Sequence, residues 1–176
     1  SRWKPYRRIM ENLTIDSNEY SQLKRAFQGG FTHANAHYVG QVLKQIGSHD
    51  FTSSYPAVMV LEKFPMGKST TITEGINEKE LRELLLTYCC MFDIEIFGLM
   101  PKLFHEHPIS RYKCWICENA LVDNGRIVMA EHIATTITEQ DFFVYTEFYK
   151  WDKIEIKNLR VYQKNYLPKR FVQSIL

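Results

Sequence analysis

Three features of the chain predict an α+β fold. Apolar residues recur at helical spacing in some stretches and alternate in others, so both periodicities are present. Helices and strands follow one another without the regular strand–helix alternation of a parallel sheet. Asp123-Asn124-Gly125, set between Ala120-Leu121-Val122 and Arg126-Ile127-Val128, carries the residues that a tight antiparallel hairpin turn needs at positive φ.

The elements follow in order. Tyr20 to Phe27 reads as a short helix with Leu23, Ala26 and Phe27 on one side, stopped by Gly29-Gly30, a pair that permits positive φ or close backbone approach. Gln41 to Ile46 fits no single period. Gly47 breaks it, and Asp50 is read as sitting at the end of a short strand. Ser54 to Phe64 suits a helix with Pro56 in its first turn, ended by Pro65-Met66-Gly67. Asn77-Glu78-Lys79-Glu80 has the pattern of a capping box, and Leu81, Leu84, Leu85 and Tyr88 follow at helical spacing. Phe92-Asp93-Ile94-Glu95-Ile96-Phe97 alternates, which places Asp93 and Glu95 on one strand face, expected to be solvated. Thr138 caps a helix bearing Phe142, Tyr145, Phe148 and Tyr149, with Asp141 in its first turn. Lys153-Ile154-Glu155-Ile156 begins another strand, and Pro168 opens a terminal helix through Phe171, Ile175 and Leu176. That helix stops on apolar residues with no C-terminal glycine, so the chain is read as a piece of a longer one.

Composition narrows the class. With 176 residues, 45% of them hydrophobic and 14% aromatic, the chain can bury a sizeable core. Its net charge of +2 is too balanced to indicate nucleic-acid binding by itself. Arg2, Lys4, Arg7 and Arg8 cluster with Trp3 and Tyr6, a basic and aromatic mixture suited to a nucleic-acid strand, although a solvated tail is the favoured reading. Cys114 and Cys117 have zinc-ligand spacing, and Cys89 and Cys90 could complete a site. Cys89 and Cys90 are adjacent, however, and their side chains diverge, while Cys114 to Cys117 reads as an apolar strand. Buried reduced thiols of a cytoplasmic protein are therefore expected. No stretch has the length and apolarity of a membrane span.

The segment Gly47 to Met59 carries the chemistry. A carboxylate, Asp50, precedes a tight turn with Ser53 and Tyr55, and a helix begins directly after it. Phosphoryl transfer needs carboxylate ligands for divalent metal and backbone N–H groups for phosphate oxygens, and this segment can offer both. One aspartate before a turn more commonly serves as a cap.

The segment resembles the first catalytic motif of family-B DNA polymerases, Asp-x-x-Ser-Leu-Tyr-Pro. Here it is Asp50-Phe51-Thr52-Ser53-Ser54-Tyr55-Pro56, with Ser54 where the family has leucine. Phe27-Gln28-Gly29-Gly30, followed by Phe31-Thr32, resembles the aromatic-x-Gly-Gly element that links the exonuclease and polymerase parts, with Phe27 in place of the usual tyrosine. The spacing of the two motifs is similar to that of the protein-primed phage subgroup. So is the layout downstream, where a terminal-protein region is inserted after the first motif. The stretch from Gly125 through Thr138 to Tyr149 looks like the end of that insertion.

This resemblance implies a partial polymerase palm at 1–62 followed by a mixed α/β insertion domain at 63–176. It implies that Asp50 ligates both ions of a two-metal Mg2+ site and that Phe51 lends its carbonyl to one. Ser53 and Ser54 would offer N–H groups to the incoming deoxynucleoside triphosphate, and Tyr55 would pack under the sugar. Phe27, Gly29 and Gly30 would let template DNA or a neighbouring domain approach. The implied partners are primer-template DNA and a terminal (priming) protein, in the cytoplasm of a host bacterium. The family's later motifs, Lys-x-x-x-Asn-Ser-x-Tyr-Gly and Tyr-x-Asp-Thr-Asp, do not occur, so the chain alone is expected not to polymerise DNA. Three other readings stand beside this one: an unrelated domain with Asp50 as a cap and Tyr55 in the core, a non-catalytic module that binds nucleic acid or protein, and a nuclease. The nuclease would use Asp50, Asp93, Glu95 and one of His33, His37, His49, His105 or His107.

Overall fold

A computed structural model describes residues 4–30, 36–73, 75–102 and 106–173. The chain divides into two compact units, one of residues 1–28 with 65–165 and one of 29–64 with 166–176. The chain passes from one unit to the other more than once, so no single cut separates them.

In the first unit, helices α1 (Lys4–Asn12) and α2 (Ser17–Ala26) lead the chain. Strand β1 (Lys63–Pro65) pairs with β9 (Lys164–Tyr166) in a two-stranded sheet. Then come β2 (Thr70–Ile72), helix α4 (Glu78–Thr87), β3 (Cys89–Pro101), β4 (Cys114–Glu118), β5 (Leu121–Asp123), β6 (Arg126–Thr138), helix α5 (Glu139–Phe148), β7 (Tyr149–Lys150), β8 (Lys153–Tyr162) and β9 (Lys164–Tyr166). Between α2 and β1 lies helix α3 (Ser54–Leu61) of the second unit, and α6 (Lys169–Val172) follows β9. The main sheet has the order β2-β8-β3-β6-β4, with β5 on β6 and β7 on β3. Every pairing within it is antiparallel. This is the α+β class that the sequence predicts.

The register sorts the side chains by face. Phe92, Ile94 and Ile96 of β3 stand opposite Ile137, Thr135 and Ile133 of β6, and Ile94 and Ile96 face Ile156 and Ile154 of β8. Alternate residues share a face, so these form one apolar surface. Leu81 and Leu85 of α4, Phe142 and Tyr145 of α5, and Tyr149 join the same buried cluster. Both helices begin with capping boxes, as their sequences predict: Asn77 with Glu80 for α4, Thr138 with Asp141 for α5. The hairpin turns at Asn124 and Gly125 with φ of 46° and 74°, the paired positive values that an Asn-Gly turn supplies.

The opposite face differs from expectation. Asp93 is not solvated but 9% exposed. It accepts hydrogen bonds from Thr136 Oγ1 at 2.6 Å and Asn158 Nδ2 at 2.8 Å, and Arg25 Nη2 of α2 lies 3.4 Å away. Helix α2 therefore covers this face, and it does so with polar contacts. Its buried residues are Glu19, Gln22 and Ala26, while the expected contact residues Leu23 and Phe27 are exposed. Glu19 accepts from the Tyr162 hydroxyl at 2.6 Å, and Gln22 donates to the Asn158 carbonyl at 2.9 Å and accepts from Arg160 Nε at 2.8 Å. Helical spacing alone picks the apolar stripe, but a helix lying on a charged sheet face is held by its polar one.

Two further expectations are trimmed. The helix opened at Ser54 ends at Leu61, and 63–65 forms a strand. The terminal helix runs over Lys169–Val172, and the expected contributions of Ile175 and Leu176 lie outside the described residues.

Candidate functional site

The segment 41–51 forms no strand among the described residues, so Asp50 stands at a loop-to-helix junction rather than at a strand end. A strand needs a hydrogen-bonding partner, and none of the described strands pairs with this segment. The Asp50 carboxylate accepts the Phe51 N–H at 2.8 Å, a local bond that leaves the side chain exposed. Ser53 then takes the left-handed conformation, φ 55° and ψ 37°, and begins α3 without a side-chain capping bond. A non-glycine residue there costs about 1–2 kcal/mol, and such outliers gather at functional sites. Pro56 sits in the first turn, where its missing N–H costs nothing, and Ala57 N–H donates to the Ser53 carbonyl at 2.9 Å. Tyr55 is 83% exposed and Phe51 86%, so Tyr55 is not a core residue. No residue of α3 is buried, although Val58, Val60 and Leu61 are apolar.

The second motif is also open. Phe27 caps the C-terminus of α2, donates its N–H to the Leu23 carbonyl and is 71% exposed. The neighbouring Gln28 donates from Nε2 to the buried Tyr145 hydroxyl at 3.0 Å, which fastens the end of α2 to α5. Gly29 does not take a positive φ, and a Cβ built on it would meet nothing within 4 Å. Open space, rather than backbone conformation, distinguishes this position. Phe31 and Thr32 lie outside the described residues.

The remaining candidates are dispersed or engaged. Asp93 is committed to Arg25, Thr136 and Asn158. Glu95 accepts from Lys157 Nζ at 2.6 Å and lies 3.3 Å from His132 Nε2, whose Nδ1 is 3.2 Å from Glu118. The hydrogen bond from Lys157 to Glu95 holds the ammonium above its ordinary range. Burial pushes the thiols of Cys89, Cys90 and Cys114 up to about 12, with the Glu139 carboxylate adding to the effect at the first two. His33 and His105 lie outside the described residues, and so do Arg2 and Trp3 of the basic cluster. Arg7 and Arg8 are exposed on α1, with Arg7 paired to Glu11 at 3.0 Å. Among the described residues no three of His, Cys, Asp and Glu converge as a metal-binding group, and no helix is long and apolar enough to cross a membrane.

Sequence reasoning missed one basic and aromatic surface. Lys24 and Arg25 of α2 stand beside Tyr112, Lys113 and Trp115. The run Arg111-Tyr112-Lys113-Cys114-Trp115 interleaves cations and aromatic rings, and that signal was available in the sequence.

Comparison with known proteins gives these features a context. A family model described as DNA polymerase type B, organellar and viral, matches residues 3–176. Among curated protein sequences none is significantly similar. Among solved structures, Phi29 DNA polymerase complexed with primer-template DNA and incoming nucleotide substrates matches with a TM-score of 0.68 and 17% identity, over 92% of this chain and 27% of that one. Its binary complex with primer-template DNA gives 0.66 and 16%, over 92% and 26%. The orthorhombic crystal form of the same polymerase gives 0.65 and 18%, over 92% and 27%. The chain thus spans about a quarter of the length of the polymerase it resembles, and at these identities the likeness shows the fold. Since the family model covers nearly every residue, the chain belongs to the type B DNA polymerases of organelles and viruses.

Proposed function

We propose that this chain supplies part of the polymerising centre of a longer, protein-primed DNA polymerase, and that it does not polymerise DNA by itself. The observation that carries this reading is the geometry at Asp50: an exposed carboxylate, a strained turn at Ser53 and an uncapped helix start within one short segment. In this reading the Asp50 carboxylate and the Phe51 carbonyl are ligands of divalent metal. Both are hard oxygen donors and suit Mg2+. Two donors from one segment make half of a two-metal site, and the other half must come from chain beyond these residues. When bound, the metal pair neutralises the charge that develops on the transferred phosphoryl group. In this reading the N–H groups of Ser53 and Ser54 donate to triphosphate oxygens, and the support is that the Ser53 side chain makes no capping bond at this helix start. Tyr55, exposed beside them, offers its ring to the sugar.

In this reading Phe27, Gly29 and Gly30 let template DNA or a neighbouring domain come close. Residues 63–176 act as the insertion that contacts the priming protein and the template. Fold likeness and family membership support this assignment, together with the order of the two motifs.

Primer extension tests the reading. The intact parent protein with primer-template, Mg2+ and four deoxynucleoside triphosphates should synthesise DNA. Asp50→Asn should lower the rate by at least about 1,000-fold, because a lost metal ligand removes several kcal/mol of transition-state stabilisation. The 176-residue chain should give no extension. Template-dependent synthesis by the chain alone, or an intact Asp50→Asn protein with unchanged rate, overturns it.

A further inference from the structure

Helix α2 ends at Ala26, and Phe27 closes it by donating its N–H to the Leu23 carbonyl at 2.9 Å. The next residue, Gln28, is half-buried, and its Nε2 donates to the Tyr145 hydroxyl at 3.0 Å, across 117 positions of sequence. Gln28 is also the last residue of the first unit before the chain passes at Gly29 into the second. We propose that Gln28 is a positioning residue for polymerisation: its bond to Tyr145 fixes the point at which the backbone leaves α2, and with it the place at which Phe27 and Gly29-Gly30 meet the template strand.

The acceptor is held on every side by the core. Tyr145 is 2% exposed and belongs to the buried cluster of Phe142 and Tyr149. Its ring stands edge-on to Tyr149, with 6.4 Å between centroids and 81° between planes. Tyr149 is fixed in turn by its hydroxyl, which donates to the Ile127 carbonyl at 2.6 Å. Burial raises the Tyr145 hydroxyl above its ordinary range, so it remains a neutral phenol whose oxygen accepts. Side chains in a close-packed core keep one arrangement, and a donor bonded to such a group inherits its position.

Docking of α2 does not depend on this bond. Glu19, Gln22 and Arg25 already hold the helix, through Tyr162, Arg160 and Asp93. Gln28 lies past the end of the helix, so its bond acts on the chain that follows. The residues around it are open: Phe27 is exposed, and a Cβ on Gly29 would meet nothing within 4 Å. Glycine restricts its own backbone least of all residues, so Gln28 places a restraint directly before two permissive positions. The aromatic-x-Gly-Gly pattern leaves this position open to any residue, and in this chain the residue there reaches the core.

The inference rests on the polymerase reading, and its experiment separates the two. Gln28→Leu and Tyr145→Phe remove the bond from opposite ends, each leaving one polar group without its partner. The double variant removes both groups. Urea midpoints and steady-state extension kinetics are measured on the intact parent protein and these variants. Each single variant should lower the midpoint, and the double variant should recover most of that loss, because no polar group is then left unpaired. The KM for primer-template should rise by about 5- to 30-fold in each single variant, the cost of ordering one backbone residue again on binding. In the double variant it should rise by the same factor, not its square, and stay raised although the midpoint recovers. The KM for deoxynucleoside triphosphate should not change in any of them. A primer-template KM that stays unchanged, that recovers together with the midpoint, or that multiplies in the double variant overturns the proposal. If a single variant does not fold, the double variant decides by its raised or unchanged KM. If the unaltered parent does not extend primers, the polymerase reading fails. Dissociation constants for primer-template, read by fluorescence anisotropy in EDTA on the same proteins, then decide for or against Gln28 by the same fold-change.

Discussion

Asp93 shows how one residue changes character when its surroundings are assembled. Its neighbours in sequence, Phe92 and Ile94, face the apolar core, so it must point to the other side of the sheet. There three donors meet it: Thr136 from β6, Asn158 from β8 and Arg25 from α2. A buried carboxylate is tolerated when hydrogen bonds replace its lost water, and it becomes costly to its partners when removed. Asp93→Ala should therefore destabilise the chain by about 2–4 kcal/mol, read as a lower urea midpoint, because it leaves the buried Thr136 hydroxyl proton without an acceptor and Arg25 without its ion-pair partner. A loss below about 0.5 kcal/mol, the level of an ordinary surface substitution, would sink this account.

At the scale of elements, the strongest local signals produce the helices that cover the apolar face. Thr138 ends the long strand β6 and begins α5 with no intervening loop. The Asp141 carboxylate accepts from the Thr138 N–H at 2.9 Å, and Thr138 Oγ1 accepts the Asp141 N–H at 3.5 Å. This cap sets the angle at which Phe142 and Tyr145 enter the core, where both are buried. Thr138→Ala should cost about 1 kcal/mol in denaturant unfolding, and Thr138→Ser should recover most of it. Equal losses in the two variants would place the effect in packing rather than capping. Helix α3 is the contrary case. Its sequence reads correctly as a helix with Pro56 in the first turn, yet it buries no residue. Burial among the described residues therefore does not account for its apolar sequence.

Across the whole molecule, burial of ionisable groups gives a dependence on alkaline pH. The thiols of Cys89, Cys90 and Cys114 are raised from an ordinary value of 9.0 to about 12 in the folded chain. Above pH 9 the unfolded chain loses these protons while the folded chain keeps them. The unfolded state then binds fewer protons, and stability falls as pH rises. The contribution is fully present below pH 9 and is lost toward pH 12, by up to about 1.4 kcal/mol per pH unit for each thiol. Burial also raises the hydroxyls of Tyr145, Tyr149 and Tyr162, so above pH 10 they act in the same direction. The urea midpoint should hold steady from pH 7 to 8, begin to fall by pH 9 and drop further by pH 10, and Cys114→Ala should reduce the drop relative to its own value at pH 8. A midpoint that does not change between pH 8 and 10 contradicts this.

What could be read directly from the residues was whatever depends on neighbours three or four positions apart. The capping boxes at Asn77 and Thr138 are of this kind, as are the Asn124-Gly125 turn, the alternation of β3 and the motif around Asp50 that signals the polymerase family. These features arise from short contacts whose partners are already adjacent in the chain. Long-range packing is what buries Asp93, docks α2 through Glu19 and Gln22 rather than Leu23, and brings Lys24 into one groove with Tyr112 and Trp115. Those outcomes join residues far apart, Arg25 with Asp93 across 68 positions and Gln22 with Arg160 across 138. They follow from strand order and register, which no local period encodes, because register is chosen by the cooperative burial of a whole face.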